Sequence, residues 1–227
     1  MKILVIVPAY NEEKNIMSVI DDLVSNAGCV DYLIINDGSK DSTEQILDEH
    51  NFCHLDMPTN IGLTGGVRGG MEYALKKGYD AVIQFDGDGQ HDARYIADII
   101  SSWKKTKADI VIGSRYLKQR KKLTLRELGG TLITACIYLT TRKKITDPTS
   151  GMRLFSANVM KRYMEHINYS PEPDTLALLI NRGIKVVETP VEMRERIYGT
   201  SYLNFTNAIK YMWHMIVSIL IIQWICE

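Results

Sequence analysis

Strand-like and helix-like segments alternate along the first half of the chain, and this alternation restricts its possible folds more than any other feature. Apolar runs rich in valine and isoleucine are predicted to be strands at residues 3–7, 32–35, 52–56, 81–85 and 109–113. Helical patterning lies between them. Strands that alternate with helices pair in parallel through right-handed crossovers. The pattern therefore predicts an α/β fold, with a mainly parallel sheet and helices on both faces.

The predicted helices of this half have recognisable start signals. Asn11 is a candidate N-cap for the first helix, with Glu12 in its dipole-favoured first turn. Ser42 and Gln45 have the spacing of a capping box that opens the second. Asp92 is expected to cap the helix that precedes the fifth strand.

The second half of the sequence is less regular. An apolar segment at residues 128–141 lies between two clusters of lysine and arginine, which could attract anionic lipid headgroups. A last strand is predicted at residues 184–191. We divide the chain into a domain at residues 1–202 and a C-terminal helix at residues 203–227.

That C-terminal helix is amphipathic. Lys210 is its only charged residue before the C-terminal glutamate, and polar side chains recur every three or four positions. Its most apolar part is short for a membrane span. The helix is therefore expected either to lie at a bilayer surface or to pack against this domain or a second subunit of a homo-oligomer.

Composition excludes several classes of protein. The 227 residues are 45% hydrophobic, and 27 basic residues balance 27 acidic ones, so no global charge attracts nucleic acid. The four cysteines form no C-x-x-C pair, which argues against a zinc site or a disulfide framework and fits a reducing cytoplasm. The apolar N-terminus ends at Pro8, too early for a signal peptide.

Residues 85–92 read Phe-Asp-Gly-Asp-Gly-Gln-His-Asp and follow a buried apolar run. Asp86 and Asp88 are expected at the exposed end of a strand, where both carboxylates can turn toward one hard cation such as Mg²⁺ or Mn²⁺. Such a cation beside a nucleotide indicates chemistry on a diphosphate leaving group. His91 is expected to be a solvated turn residue rather than a metal ligand.

Several motifs, in the expected order, resemble a known enzyme family. The motifs at residues 7–13, 36–39, 60–62, 85–91 and 113–115 resemble the nucleotide-binding elements of inverting family-two glycosyltransferases. Residues 147–153 and 196–201 resemble the subgroup of dolichol- and polyprenyl-phosphate sugar transferases. The resemblance covers residues 3–202 and implies a GT-A fold, a Rossmann-like mixed sheet with helices on both faces. It also adds Gln90 to the cation shell.

Donor-binding roles can be assigned from this resemblance and from residue chemistry. Asp37 can accept a hydrogen bond from the base, Pro8 and Tyr10 can wall it, and Glu12 can hold ribose hydroxyls or the base edge. An ordinary first helical turn remains the alternative for Tyr10 and Glu12. Glycines at the start of the third helix would let backbone approach the nucleotide. The predicted nucleotide-binding residues are Pro8, Tyr10, Glu12, Asp37, Asn60, Gly62, Gly65, Asp86 and Gln90.

The acceptor decides whether a catalytic base is needed. A lipid phosphate is already anionic, so arginines that grip phosphate could suffice, whereas a sugar hydroxyl needs a base. Arg153 and Arg196 are further candidates for the arginine cluster, and Tyr202 stands where many relatives carry lysine. The predicted catalytic residues are Asp88, Arg115, Arg126, Glu172 and Asp174. A surface ion pair is the alternative role for any one of the arginines, and helix capping is the alternative for Asp174.

The sequence thus predicts a metal-dependent inverting glycosyltransferase, peripheral on the cytoplasmic face of the membrane. It would move a sugar from a nucleotide-diphosphate donor, most simply a UDP-sugar, to a polyprenyl phosphate. The nearest alternative acceptor is a sugar hydroxyl of a lipid-linked or polymeric glycan. A nucleotidyltransferase and a non-catalytic membrane-docking protein are the alternatives from other classes.

Overall fold

The computed structural model describes residues 1–28, 30–118, 125–195 and 205–222, without the side chains at 125–126, 205–209 and 222. Its strands form one seven-stranded sheet in the order β3-β2-β1-β4-β6-β5-β7. Strand β6 is antiparallel to both of its neighbours, and the other pairs are parallel. The strands are β1 (Ile3–Ala9), β2 (Asp31–Asn36), β3 (His54–Asp56), β4 (Ala81–Gln84), β5 (Ile110–Ser114), β6 (Arg153–Ser156) and β7 (Val186–Pro190).

Helices cover both faces of this sheet. A 3₁₀ turn at Ala93–Tyr95 leads into α4, and a π turn at Ser218–Ile222 follows α8. The helices are α1 (Ile16–Asn26), α2 (Thr43–Glu49), α3 (Gly62–Lys76), α4 (Ile96–Thr106), α5 (Leu125–Thr141), α6 (Ala157–Glu165), α7 (Pro173–Asn181) and α8 (Phe205–Val217). The predicted mixed, mainly parallel α/β fold is confirmed.

The core consists of two apolar layers, one on each side of the sheet. Alternate residues of β1 point to opposite faces, so that Leu4 and Ile6 join one layer while Val5 and Val7 join the other. Helices α3, α5, α6, α7 and α8 pack on the first layer, and α1, α2 and α4 pack on the second. The sheet therefore lies between two layers of helices, and the loops that follow its strands emerge at the edges of the sheet.

One predicted helix start is wrong, and at a second the position is right but the predicted capping hydrogen bonds are not formed. The first helix begins at Ile16, because Asn11 has a positive φ of 56° and its side chain accepts a hydrogen bond from the Lys40 backbone across the loop. Ser42 precedes α2 but makes no capping hydrogen bond, and Gln45 donates to Glu49 instead of reaching back. The Asp92 cap is confirmed, since its carboxylate accepts from the Arg94 backbone.

The irregular second half contains more helix than the sequence indicated. The apolar segment 128–141 belongs to α5, and α7 begins at Pro173 with Asp174 in its first turn, as the helix-capping alternative for Asp174 implies. Helix α8 and its π turn pack against α5 and α7, where Met215 and Ile219 are buried. In the described part of the chain, no helix combines the length and hydrophobicity needed to cross a bilayer.

Candidate active site

The loops that leave β1, β2 and β4 meet at one edge of the sheet. These three strands are neighbours and parallel, so their carboxyl ends point the same way. The backbone N–H of Asp37 donates to the Ala9 carbonyl at 2.9 Å, and that of Gly87 donates to the Pro8 carbonyl at 3.2 Å. The motifs at residues 7–13, 36–39 and 85–91 are thus brought together.

The first two of these loops are fastened by side chain–backbone hydrogen bonds. Asn11 N–H donates to Ser39 Oγ at 3.0 Å, while Asn11 Oδ1 accepts from the Lys40 N–H at 2.8 Å. Glu12 N–H donates to Thr43 Oγ1 at 2.9 Å. These hydrogen bonds fix the backbone position of Glu12. Tyr10, two residues earlier, is 41% exposed.

Asp37 holds the start of α3. Its two carboxylate oxygens accept from the N–H groups of Ile61 and Gly62, each at 2.8 Å. Gly62 has a φ of 77°, which favours glycine, and the neighbouring Asn60 is exposed. Of the predicted nucleotide-binding residues, Asp37, Asn60 and Gly62 therefore lie together at the start of α3, where backbone N–H groups already engage the Asp37 carboxylate.

The Asp86 carboxylate is enclosed on both of its oxygens. Gln84 Nε2 donates to Oδ1 at 3.0 Å, and His91 Nε2 lies 3.6 Å from Oδ2. A Cβ atom on Gly151 would lie 2.3 Å from Oδ2, so glycine is required for this approach. The motif at residues 147–153 thus reaches the acidic motif.

The prediction that His91 is a solvated turn residue is wrong. Its side chain is buried at 3% exposure, and its ring meets Phe85 edge-on at a centroid distance of 5.2 Å. Nδ1 accepts a hydrogen bond from the backbone N–H of Asp86 at 2.9 Å. No local pattern predicts this burial, because the histidine lies in a polar, glycine-rich turn.

Asp88 and Gln90 follow in the same turn, where Gln90 N–H donates to Asp88 Oδ1 at 3.0 Å. Within the four described ranges, no three His, Cys, Asp or Glu side chains are grouped as a ready-made metal site. Mg²⁺ commonly uses only one or two protein carboxylates and completes its shell with waters and phosphate oxygens. The oxygen ligands here, and the space that Gly151 leaves beside Asp86, fit such a cation.

Arg115 is paired with a fully buried carboxylate. Its Nε and Nη2 donate to the two oxygens of Asp147, each at 2.7 Å, and Nη2 also donates to Thr149 at 3.2 Å. Burial disfavours the charged guanidinium, but the Asp147 hydrogen bonds and charge outweigh it and raise the pKa of Arg115. Arg115 lines a small pocket together with Glu127 and Gly130 of α5.

Two of the predicted arginines cannot be placed from their side chains. The side chain of Arg126, at the start of α5, lies outside the described residues, and so do Arg196 and Tyr202. Arg153 is buried at 3% exposure, and it donates to the backbone carbonyls of Ser150, Pro148 and Pro171. It therefore ties the loop at residues 147–151 to the loop before α7.

Glu172 and Asp174 are hydrogen-bonded to the C-terminal helical segment. Tyr211 donates to Glu172 Oε2 at 2.5 Å, and Ser218 donates to Asp174 Oδ2 at 2.7 Å. Burial raises the pKa of Glu172, and the negative charges of Asp174 and Asp86 add to that effect. Arg153 joins the loop before α7 to the loop at residues 147–151, whose Gly151 adjoins Asp86, so this acidic pair lies on the same side of the molecule as the acidic motif.

Sequence reasoning missed several residues that shape the site. Asp147 and Gly151 belong to the motif at residues 147–153, and Tyr211 is one of the recurring polar residues of the C-terminal helix, but the sequence assigns none of the three an individual role. Gln84 offered a usable signal, since it is a polar residue that ends an otherwise apolar strand. The others depend on contacts between segments far apart in the sequence.

The chain is similar to enzymes that act on lipid phosphates. The family model described as Glycosyl transferase family 2 matches residues 4–164. A polyprenol monophosphomannose synthase of Mycolicibacterium smegmatis is 26% identical over 221 residues, covering 90% of this chain and 82% of that protein. A UDP-N-acetylglucosamine–dolichyl-phosphate N-acetylglucosaminyltransferase of Methanococcus voltae is 29% identical over 213 residues, covering 84% of each.

A solved structure supports the same fold. Glucosyl-3-phosphoglycerate synthase from Mycobacterium tuberculosis, in complex with Mn²⁺, UDP-glucose and phosphoglyceric acid, matches with a TM-score of 0.69 at 15% identity. The match covers 98% of this chain and 79% of that one. Another structure of that synthase contains Mg²⁺ and UDP. At this identity the likeness concerns the fold alone.

Proposed function

The chain belongs to glycosyl transferase family 2, and we propose that it transfers a sugar from a nucleotide-diphosphate donor, a UDP-sugar, to a polyprenyl phosphate. The observation that carries the proposal is the contact of Asp86 with Gly151. Through it the turn with Asp86 and Asp88 adjoins the loop whose Asp147 holds Arg115. Carboxylates for a cation and an arginine for phosphate then stand side by side.

The donor half of the site is formed by the loops after β1 and β2 and by the start of α3. Pro8 and Tyr10 would flank the base, with Glu12 and Asp37 offering acceptors to base and ribose. Asn60, Gly62 and Gly65 would let backbone approach the nucleotide. The Asp37 carboxylate accepts two backbone hydrogen bonds. It could accept a further one from the nucleotide, because a carboxylate has about four lone-pair sites.

Asp86, Asp88 and Gln90 would hold Mg²⁺ or Mn²⁺ in this site. When bound, the cation would neutralise charge on the departing nucleoside diphosphate and orient it. The protein itself contributes the fixed direction of Asp86, set by Gln84 and His91. Solved structures with the same fold hold Mn²⁺ or Mg²⁺ together with a uridine nucleotide, so the fold can accommodate such a cation.

The acceptor half is built around Arg115, with Arg126 as the second predicted arginine. Asp147 holds the Nε and Nη2 edge of the Arg115 guanidinium and fixes its direction, so a phosphate would be met by the N–H groups of Nη1. A lipid phosphate is already anionic, so positioning and charge stabilisation would carry the catalysis without a base. The relatives named for polyprenyl and dolichyl phosphates support this acceptor.

The acceptor pocket adjoins an apolar surface. Glu127 and Gly130 of α5 line it beside Arg115, and the side chains of Leu128 and Leu132 on the same helix are exposed. The outward apolar side chains of α5 and of the α8 segment form what we call the α5/α8 face: Leu128, Leu132, Tyr138, Leu139, Trp213, Leu220 and Ile221, all at least 40% exposed. We infer that this face rests on the cytoplasmic surface of the membrane, where it would bring a lipid phosphate to Arg115.

One experiment tests the proposal directly. Calorimetry with Mn²⁺ identifies the donor from a panel of nucleotide sugars, and transfer to polyprenyl phosphate is then measured. Asp86→Ala is expected to abolish transfer and metal-dependent donor binding, while Asp98→Ala, an exposed acid of α4, leaves both unchanged. Near-normal turnover by the Asp86 variant would refute the metal role.

A sugar hydroxyl is the second candidate acceptor, because the raised pKa of Glu172 suits a general base. Glu172→Gln and Asp174→Asn separate the two acceptors. With a lipid phosphate these variants keep most of their transfer rate, whereas with a hydroxyl acceptor the loss is about 10²- to 10⁴-fold. Rates for both acceptor types with the same donor decide between them.

A further inference from the structure

Gln84 is a buried polar side chain at the end of an otherwise apolar strand. It is 1% exposed, and the three preceding residues of β4 are apolar and fully buried. Its Nε2 donates to Asp86 Oδ1 at 3.0 Å. Its Oε1 is buried and has no hydrogen-bond partner in the part of the chain that the structure describes. A buried carbonyl oxygen without a partner destabilises a fold, so packing does not explain a glutamine at this position.

The opposite oxygen of Asp86 has its own neighbour. His91 Nδ1 accepts the Asp86 N–H, and a ring nitrogen that accepts carries no proton, so the neutral ring bears its proton on Nε2. That nitrogen lies 3.6 Å from Asp86 Oδ2. The ring is buried and packed on Phe85, which fixes its direction. Both Asp86 oxygens therefore face an oriented N–H group.

We propose that Gln84 is a positioning residue that fixes the Asp86 carboxylate for a divalent cation, with His91 as its counterpart on the other oxygen. The inference rests on the proposed function, because it concerns the same cation site. Hydrogen bonds to a ligating carboxylate orient it, and their loss commonly weakens metal affinity about 10- to 100-fold. Because the Gln84 carbonyl is unsatisfied, replacing this side chain with an apolar one of similar size lowers metal affinity without lowering stability.

The test uses Gln84→Met and Gln84→Leu in the full chain. Mn²⁺ binding is titrated by electron paramagnetic resonance at fixed UDP concentration, and Tm is measured without metal. We expect Mn²⁺ affinity to fall about 10- to 100-fold while Tm stays equal or rises. Gln45→Leu is the matched control, since Gln45 is exposed on α2 and donates to Glu49. It should leave Mn²⁺ affinity unchanged.

Each other outcome overturns the inference. Equal Mn²⁺ affinity in the parent and the Gln84 variants would show that Gln84 does not orient the ligand. Loss of folding in both variants would show that Gln84 serves stability instead. Absence of Mn²⁺ binding by the parent protein would overturn the proposed metal dependence as well, which distinguishes that failure from failure of the inference alone.

Discussion

Gly151 lies against the Asp86 carboxylate although the two residues belong to motifs far apart in the sequence. A Cβ atom at position 151 would lie 2.3 Å from Oδ2 and 3.1 Å from Cγ of Asp86. These are atoms of a short side chain that Gln84 also holds in place. The Asp86 carboxylate could make room for a Cβ atom only by rotating away from its hydrogen bond with Gln84.

Gly151→Ala is therefore expected to disturb the cation site more than the fold. A misplacement of about 1 Å can lower a catalytic rate about 10²-fold, and we expect a loss of that order in sugar transfer. Steady-state transfer rates and Mn²⁺ affinity are the measurements. Gly69→Ala is the control, because its Cβ would lie 2.5 Å from Met57 Cε, the flexible end of a side chain that can shift. Equal rates for the two variants would contradict the expectation.

At the scale of elements, the C-terminal helical segment completes the acidic loop before α7. Tyr211 and Ser218 donate to Glu172 and Asp174, and the same segment packs on α5 and α7. The hydrogen bond from Tyr211 lowers the pKa of Glu172, which opposes the larger raising effect of burial. Helix α8 is therefore tied by polar contacts to residues of the proposed site.

Tyr211→Phe should destabilise the fold in a pH-dependent way. Loss of the donor leaves a buried carboxylate less satisfied, at about 1–3 kcal/mol in the free energy of unfolding near neutral pH. The pKa of Glu172 in the folded state then rises further above its ordinary value of 4.5. An acid with a raised folded-state pKa contributes stability that is present below the unfolded pKa and lost as pH rises.

The deficit of the Tyr211 variant should therefore be smaller below pH 4.5, the ordinary pKa of the glutamate, than at neutral pH. Urea unfolding at several pH values measures it. Tyr138→Phe removes a hydroxyl from a 49% exposed tyrosine of α5 and serves as the control. A deficit that is independent of pH would show that Glu172 is not the partner that matters.

At the scale of the whole molecule, the sheet separates helical layers of different character. The layer with α1, α2 and α4 lies on the opposite side from the α5/α8 face. Exposed side chains of α5 at positions 128, 132 and 139 are all leucine. Contiguous exposed apolar patches are typical of interaction sites, and we propose that the α5/α8 face is one. Exposed basic residues beside it, Arg142 and Lys144 after α5 and Lys210 on α8, favour an anionic lipid surface.

We accordingly expect the chain to bind anionic vesicles through the α5/α8 face. Replacing Leu132 and Trp213 together by alanine should weaken vesicle binding at least about tenfold, since each buried side chain contributes about 1.5–3 kcal/mol. Co-sedimentation with phosphatidylglycerol-containing vesicles measures this. Val24→Ala, 58% exposed on α1, is the control. A double variant that binds vesicles as well as the parent would contradict the assignment.

The sequence by itself determined six of the seven strands that the structure describes, the parallel pairing of those near the N-terminus and the edge of the sheet at which the acidic motifs lie. Apolar periodicity is a local property, and parallel strands carry their exit loops to one edge whatever the later chain does. The family resemblance rests on the same local motifs. It predicted the fold correctly, as the seven-stranded mixed sheet shows.

Only the tertiary structure decided which residues meet across that edge. The antiparallel direction of β6 was hidden, because a buried strand has the same apolar pattern in either direction. Burial of His91, the pairing of Arg115 with Asp147 and the approach of Gly151 to Asp86 all join separate loops. Such contacts depend on how the loops fold back on the sheet. Local residue patterns do not encode the distance between two loops that are far apart in the sequence.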